Sequence, residues 1–133
     1  MIRVVAALIC DESRLLICQR RRNDSFPLKW EFPGGKIRAG ESPSQALARE
    51  LEEELGVHAD VGREIYRTRH RYAEHSEEIE LLFFAARVDP QAVRNLAFEQ
   101  MVWAELPALP QYDFLPADRE LVERLASGAL SLG

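Results

Sequence analysis

Three glutamates, Glu50, Glu53 and Glu54, stand at positions i, i+3 and i+4 of an apolar-periodic segment. On a helix that spacing puts all three carboxylates on one face, while Glu52 points elsewhere and is only solvated. On an open surface such like charges cost about 0.2–0.5 kcal/mol per pair and are tolerated. In a cleft of effective dielectric about 20, each pair some 5–6 Å apart repels by roughly 3 kcal/mol and needs compensation. A hard divalent cation with oxygen ligands supplies it. The face is therefore either solvated or a magnesium site, and a nearby cleft decides which. Pro33-Gly34-Gly35 is the candidate wall of that cleft, because glycines let backbone carbonyls and amides approach a metal and a phosphate closely.

The helix that carries the acids has legible ends. Ser42 and Gln45 are spaced as a capping box, Pro43 takes the first helical position, and Gly56 follows Leu55 as a left-handed terminator. Leu47, Leu51 and Leu55 recur on its buried stripe. Before it, Val4 to Cys10 and Leu15 to Cys18 read as two strands joined by the polar turn Asp11-Glu12-Ser13, and Gln19 to Lys29 as a basic, polar loop. After it, Val57 to Tyr72, Ile79 to Val88 and Met101 to Ala104 read as strands. Ala117 to Ala126 reads as an amphipathic helix with Leu121, Val122 and Leu125 on one side. Strands and helices mingle without repeat or linker, which predicts a single α/β or α+β domain over residues 1–133.

Composition excludes several classes. With 133 residues, 47% of them hydrophobic, the chain is long enough to bury a core and is not disordered. Its net charge of −5 gives no global attraction for a nucleic-acid polymer. No apolar run approaches the roughly 20 residues of a membrane span, and the N-terminal stretch reads as mature sequence rather than a signal peptide. Cys10 and Cys18 match no metal spacing and are expected as buried reduced thiols, consistent with a cytoplasmic location. His58, His70 and His75 share no ligating pattern and are expected at the surface.

The run from Gly35 to Glu41, followed by Arg49-Glu50-Leu51-Glu52-Glu53-Glu54-Leu55-Gly56-Val57, is similar to the Nudix box at every defining position. Trp30 to Lys36, the N-terminal hairpin with Gln19-Arg20-Arg21, and Leu115-Pro116-Ala117-Asp118 resemble the MutT-type branch. The resemblance implies a Nudix fold, an α/β/α sandwich with a mixed sheet and a loop–helix–loop. It also implies hydrolysis of a (deoxy)nucleoside triphosphate to the monophosphate and pyrophosphate, with no membrane or nucleic-acid polymer as partner and the protein acting as a monomer or homodimer. Carried over by position, Glu50, Glu53, Glu54 and the Gly35 carbonyl would hold Mg2+, with Mn2+ as a substitute. Glu99 is a further candidate ligand, set against a plain loop acid. One of the helix glutamates would act as base, Arg49 would orient them, Glu41 would support the loop and Lys36 would face the phosphates.

For the base, the resemblance points to Asp118, with Arg20, Phe32 and Phe83 lining the nucleotide site. Each has a plainer reading: a helix cap for Asp118, core packing for the two rings, a surface charge for Arg20. An Asn in the Asp118 place of the oxidised-guanine specialist both donates and accepts, whereas an ionised Asp only accepts. The leading expectation is an oxidised purine such as 8-oxo-dGTP, in a nucleotide-pool sanitation role. A CTP or dCTP pyrophosphohydrolase is the alternative, followed by a Nudix hydrolase of another nucleoside diphosphate derivative, towards which Tyr72 is a weak pointer. A catalytically dead nucleotide-binding module is the non-enzyme reading, and the intact carboxylates argue against it.

Overall fold

A computed structural model of the chain describes residues 1–74 and 76–132. The apolar run near the N-terminus forms β1 (Ile2–Asp11), the middle of a mixed sheet. Its continuous hydrophobicity has a simple cause, since both faces are covered. Val5, Ala7 and Ile9 point into one core and Ala6 and Leu8 into the other, as the two-residue period of a strand requires.

Around β1 stand β2 (Arg14–Gln19), β3 (Trp30–Glu31), β4 (Gly34–Lys36), β5 (Asp60–His70), β6 (Ile79–Arg87) and β7 (Gln100–Glu105). β1 runs parallel to β6 over Ile2 to Ile9, and antiparallel to β4, with Val5 opposite Gly35. β2 pairs with β1 only at their shared turn, and also with β3 and β7. β5 closes the other edge against β6.

Helix α1 (Pro43–Leu55) lays Ala46, Leu47, Leu51 and Leu55 on one face of the sheet. Helix α2 (Arg119–Ser127) lays Leu121, Val122 and Leu125 on the other. Each such fully buried leucine contributes about 1.5–3 kcal/mol relative to exposure. The capping box of α1 is complete: Gln45 N–H donates to Ser42 Oγ at 3.1 Å and Ser42 N–H to Gln45 Oε1 at 2.9 Å. Gly56 ends the helix at φ 65°.

The structure corrects three expectations. β5 starts at Asp60 rather than Val57, because Val57 and Ala59 leave the Gly56 turn by packing into the core instead of pairing. α2 starts at Arg119, since Pro116–Asp118 forms a short 3-10 turn first. Cys10 is exposed while Cys18 is buried. The β1–β6 ladder ends at Ile9, so Cys10 lies beyond the covered part of the strand. Among the described residues, no helix is long and apolar enough to cross a membrane.

Candidate active site

The site begins with the box helix packed against β4. Arg49 donates from Nε to Glu41 Oε2 at 2.7 Å and from Nη2 to Glu41 Oε1 at 2.9 Å, a two-pronged ion pair. Its Nη1 donates to Glu50 Oε1 at 2.8 Å and lies 3.5 Å from Glu53 Oε1, and Nη2 also reaches the Lys36 carbonyl at 3.1 Å. Glu41 further accepts from the Arg38 amide, and these contacts hold its carboxyl down to about 2. One guanidinium thus joins the loop before α1 to two of the helix's acids.

The glycine turn supplies the opposite wall. Gly34 N–H donates to Glu54 Oε1 at 2.9 Å. A Cβ at Gly35 would lie 2.4 Å from the Glu50 carboxyl carbon, so glycine there lets the acid close onto the backbone. A Cβ at Gly34 would lie 2.0 Å from the Val5 carbonyl, so the turn also needs glycine to seat on β1. Burial pushes the Glu54 carboxyl up to about 8, aided by Glu50, Glu31 and Glu53 and opposed by the Gly34 amide. Glu53 is half exposed at the rim.

These residues fit a hard divalent cation. The donors are all oxygens, and a buried carboxylate among others lacks a local counter-charge, which such a cation restores. Among the described residues, no three carboxylate, imidazole or thiol side chains already converge as a finished cage. Glu54 is drawn to the Gly34 amide and Glu50 to Arg49.

Beyond Glu54 a cavity of about 410 Å³ opens between β1, the β2–β3 loop and the turn before α2. It brings together Arg20, Phe32, Gly35, Lys36, Glu54 and Asp118. Arg20 is no simple surface charge. Its guanidinium donates to Glu31 Oε1 at 3.0 Å and to Ser25 at two points, and little of it is exposed. Asp118 is 3% exposed and makes no side-chain cap for α2, which removes the helix-cap explanation. Burial pushes its carboxyl up to about 8, with Glu31 adding to the effect. Burial thus favours the neutral, protonated carboxyl over the ionised one.

Other expected residues fall outside the cavity. Phe83 is fully buried and stacks edge-on to Phe32 in the core, so it offers no open face. Glu99 does not line the cavity; its carboxylate lies 3.6 Å from Arg22, while Ala97, two residues earlier, is the lining residue of that segment. His58 is exposed, His70 rests edge-on against Tyr72, and His75 lies outside the described residues.

Sequence reasoning overlooked Glu31. Its carboxyl lines the cavity, paired to Arg20, and burial raises its pKa. The available signal was an acid set between the aromatic residues Trp30 and Phe32. Phe26 also lines the cavity, and nothing in the polar loop around it pointed to that role.

Comparisons with known proteins agree with this geometry. The NUDIX domain family model matches residues 1–125. The CTP pyrophosphohydrolase of Escherichia coli K12 is 36% identical over 128 residues, covering 92% of this chain and 90% of that protein. The 8-oxo-dGTP diphosphatase of Haemophilus influenzae is 35% identical over 126 residues, covering 94% and 91%. The solution structure of the E. coli ORF135 protein superposes with a TM-score of 0.80 at 33% identity, covering 97% of this chain and 89% of that one. The arginine-held acids on a capped helix, the glycine wall against β1 and the matched family model lead to one assignment: the chain belongs to the Nudix family and is a Nudix pyrophosphohydrolase.

Proposed function

We propose that the protein hydrolyses (deoxy)nucleoside triphosphates to the monophosphate and pyrophosphate, with an oxidised purine nucleotide such as 8-oxo-dGTP as preferred substrate. The role is nucleotide-pool sanitation in the cytoplasm, carried out by this one domain. The observation that carries the base preference is the position of Asp118, buried at the cavity wall, where burial raises its carboxyl and favours the neutral form. A neutral carboxyl both donates and accepts. Oxidised guanine presents N7–H and O6 side by side, so the carboxyl accepts from the first and donates to the second. Unmodified guanine presents two acceptors there, and one is left unmatched.

Cytosine is the second reading, favoured by a relative named as a CTP pyrophosphohydrolase. The same neutral carboxyl would accept from the base amine and donate to the ring nitrogen beside it.

Mg2+, or Mn2+ in its place, held by Glu50, Glu53, Glu54 and the Gly35 carbonyl, would neutralise phosphate charge and lower the pKa of a bound water. Arg49, fixed by Glu41, holds Glu50 and Glu53 in orientation. Lys36 faces the phosphates. Water attacks one phosphorus of the α–β phosphate bridge in line, that phosphorus's bond to the bridging oxygen breaks, a helix glutamate takes the water's proton, and the monophosphate and pyrophosphate are released. The supporting shell thus does the positioning on which phosphoryl transfer depends.

The test is a turnover panel with magnesium, scored for pyrophosphate: 8-oxo-dGTP, dGTP, CTP, dCTP and oxidised dATP. Preference for 8-oxo-dGTP supports the leading reading, and preference for CTP or dCTP the second. Silence across the panel overturns both and turns attention to other nucleoside diphosphate derivatives.

A further inference from the structure

The segment between the 3-10 turn Pro90–Ala92 and β7 crosses the C-terminal end of α1. A helix leaves its last carbonyls without partners inside it. Here Gly56 N–H donates to the Glu52 carbonyl at 3.0 Å, and the crossing segment supplies two further donors. Leu96 N–H donates to the Glu54 carbonyl at 3.0 Å, and Arg94 N–H to the Leu55 carbonyl at 2.9 Å. The Arg94 guanidinium lies over Gly56, where a Cβ would meet its Nη2 at 2.6 Å, and puts a cation at the negative end of the helix dipole. The last turn of α1, which carries Glu53 and Glu54, is thus closed by residues from outside the box.

Asn95 shapes this strap. Its Oδ1 accepts from the Phe98 amide at 2.8 Å and from the Ala97 amide at 3.3 Å, while its Nδ2 donates to the Phe98 carbonyl at 2.9 Å. One side chain therefore satisfies three backbone groups and folds residues 95–98 into a closed turn. Beyond the turn, Phe98 is buried in the core beneath α1, and Ala97 and Phe98 form part of the cavity wall. Glu99 N–H then donates to the Gln19 carbonyl of β2 at 2.9 Å. The strap is strung between the end of α1 and β2, and the Asn95 turn takes up the chain between those two anchors.

We infer that Asn95 is a positioning residue for the metal-binding face: its turn holds the amides of Arg94 and Leu96 against the helix end, and with them the backbone from which Glu53 and Glu54 reach a cation. Glu54 is then fixed twice, at its carboxylate by the Gly34 amide and at its carbonyl by the strap. Without the Asn95 bonds the strap loses its turn, and the unpartnered carbonyls let the last turn of α1 fray. The inference rests on the metal reading above and adds a residue that acts on the acids through the backbone.

Two measurements on the nucleotide-free protein test this: Mg2+ binding by calorimetry, and amide hydrogen exchange at Arg94 and Leu96. Asn95→Ala should weaken Mg2+ binding about tenfold, the scale of a lost supporting contact, and speed exchange at both amides. Asn95→Ser, whose hydroxyl still offers an acceptor to the Ala97 and Phe98 amides, should recover most of the affinity. Asn95 is exposed, so both variants keep the fold. Ser42→Ala loosens the opposite end of the same helix and should bind Mg2+ like wild type. The positioning role would be overturned, with the metal reading left standing, by any of three results: Asn95→Ala within about twofold of wild type in Mg2+ affinity, Ser42→Ala losing as much as Asn95→Ala, or serine recovering nothing. A wild-type protein that binds no Mg2+ would overturn both.

Discussion

Arg49 and Glu41 are locked by two parallel hydrogen bonds of 2.7 and 2.9 Å, across the eight residues from the box loop to the middle of α1. The third arm of the same guanidinium reaches Glu50 at 2.8 Å. Arg49 and Glu41 are thus tied to each other and, through Arg49, to the acids of α1.

Arg49→Lys keeps the charge but removes the planar fork. Loss of such a supporting contact is expected to lower metal affinity or kcat by about 10- to 100-fold. Glu41→Gln, which keeps the shape and loses the charge, should fall between that variant and wild type. Steady-state kinetics across a magnesium titration checks this, and an Arg49→Lys enzyme within twofold of wild type would sink the positioning role.

Glu53→Gln and Glu54→Gln remove one carboxylate each from the all-oxygen set. Turnover should drop by at least about a hundredfold, with nucleoside monophosphate binding retained, since general acid–base and metal contributions each reach that scale. Chelation should abolish wild-type turnover, and added Mg2+ or Mn2+ should restore it. A fully active Glu53→Gln protein would refute the assignment of this face as the metal site.

Asp118 makes a pH prediction with a definite sign. Its carboxyl titrates near 3.8 when unfolded and is pushed up to about 8 in the fold. Between those values the native state holds a proton that the unfolded chain has released, so stability is greatest below the lower value and is lost as pH rises towards about 8. Each pKa unit corresponds to about 1.4 kcal/mol. Asp118→Asn, neutral at every pH, should therefore flatten the decline and stabilise the protein by a few kcal/mol near pH 8. Urea unfolding at pH 5 and pH 8 reads it, and an unchanged slope in the variant would show that Asp118 is ionised in the fold.

Much of this was legible in the chain. The ends of α1 follow from local rules, because Ser42, Pro43, Gln45 and Gly56 each satisfy a backbone group within a few residues. The buried stripe of Leu47, Leu51 and Leu55 follows from helical period alone. What local rules miss is set by distant partners. Cys10 escapes burial because the β6 ladder ends one residue earlier, and Phe83 is sealed by packing that no neighbour in sequence announces. Glu31 is functional in appearance only once Arg20 and the cavity stand beside it.

Two substitutions within the box, at either end of its loop, should separate stability from activity. Ser42→Ala removes the acceptor of the Gln45 amide and half of the capping box, which costs about 1 kcal/mol of stability. The catalytic face stays where it was, so kcat should be unchanged at temperatures where the variant is folded. Gly35→Ala acts in the opposite way. The atoms its Cβ would meet, within 2.4–2.7 Å, belong to the far end of the Glu50 side chain, which can swing aside, giving up its bond to Arg49, without disturbing the core. The fold should therefore survive with a melting temperature close to wild type. Glu50 would be driven off the glycine wall, and turnover should fall by at least about tenfold, as expected when a site group is displaced by an ångström or so. Melting curves and kcat measured on both variants give the answer. If Gly35→Ala retains full activity, Glu50 does not need the close approach that the bare glycine allows.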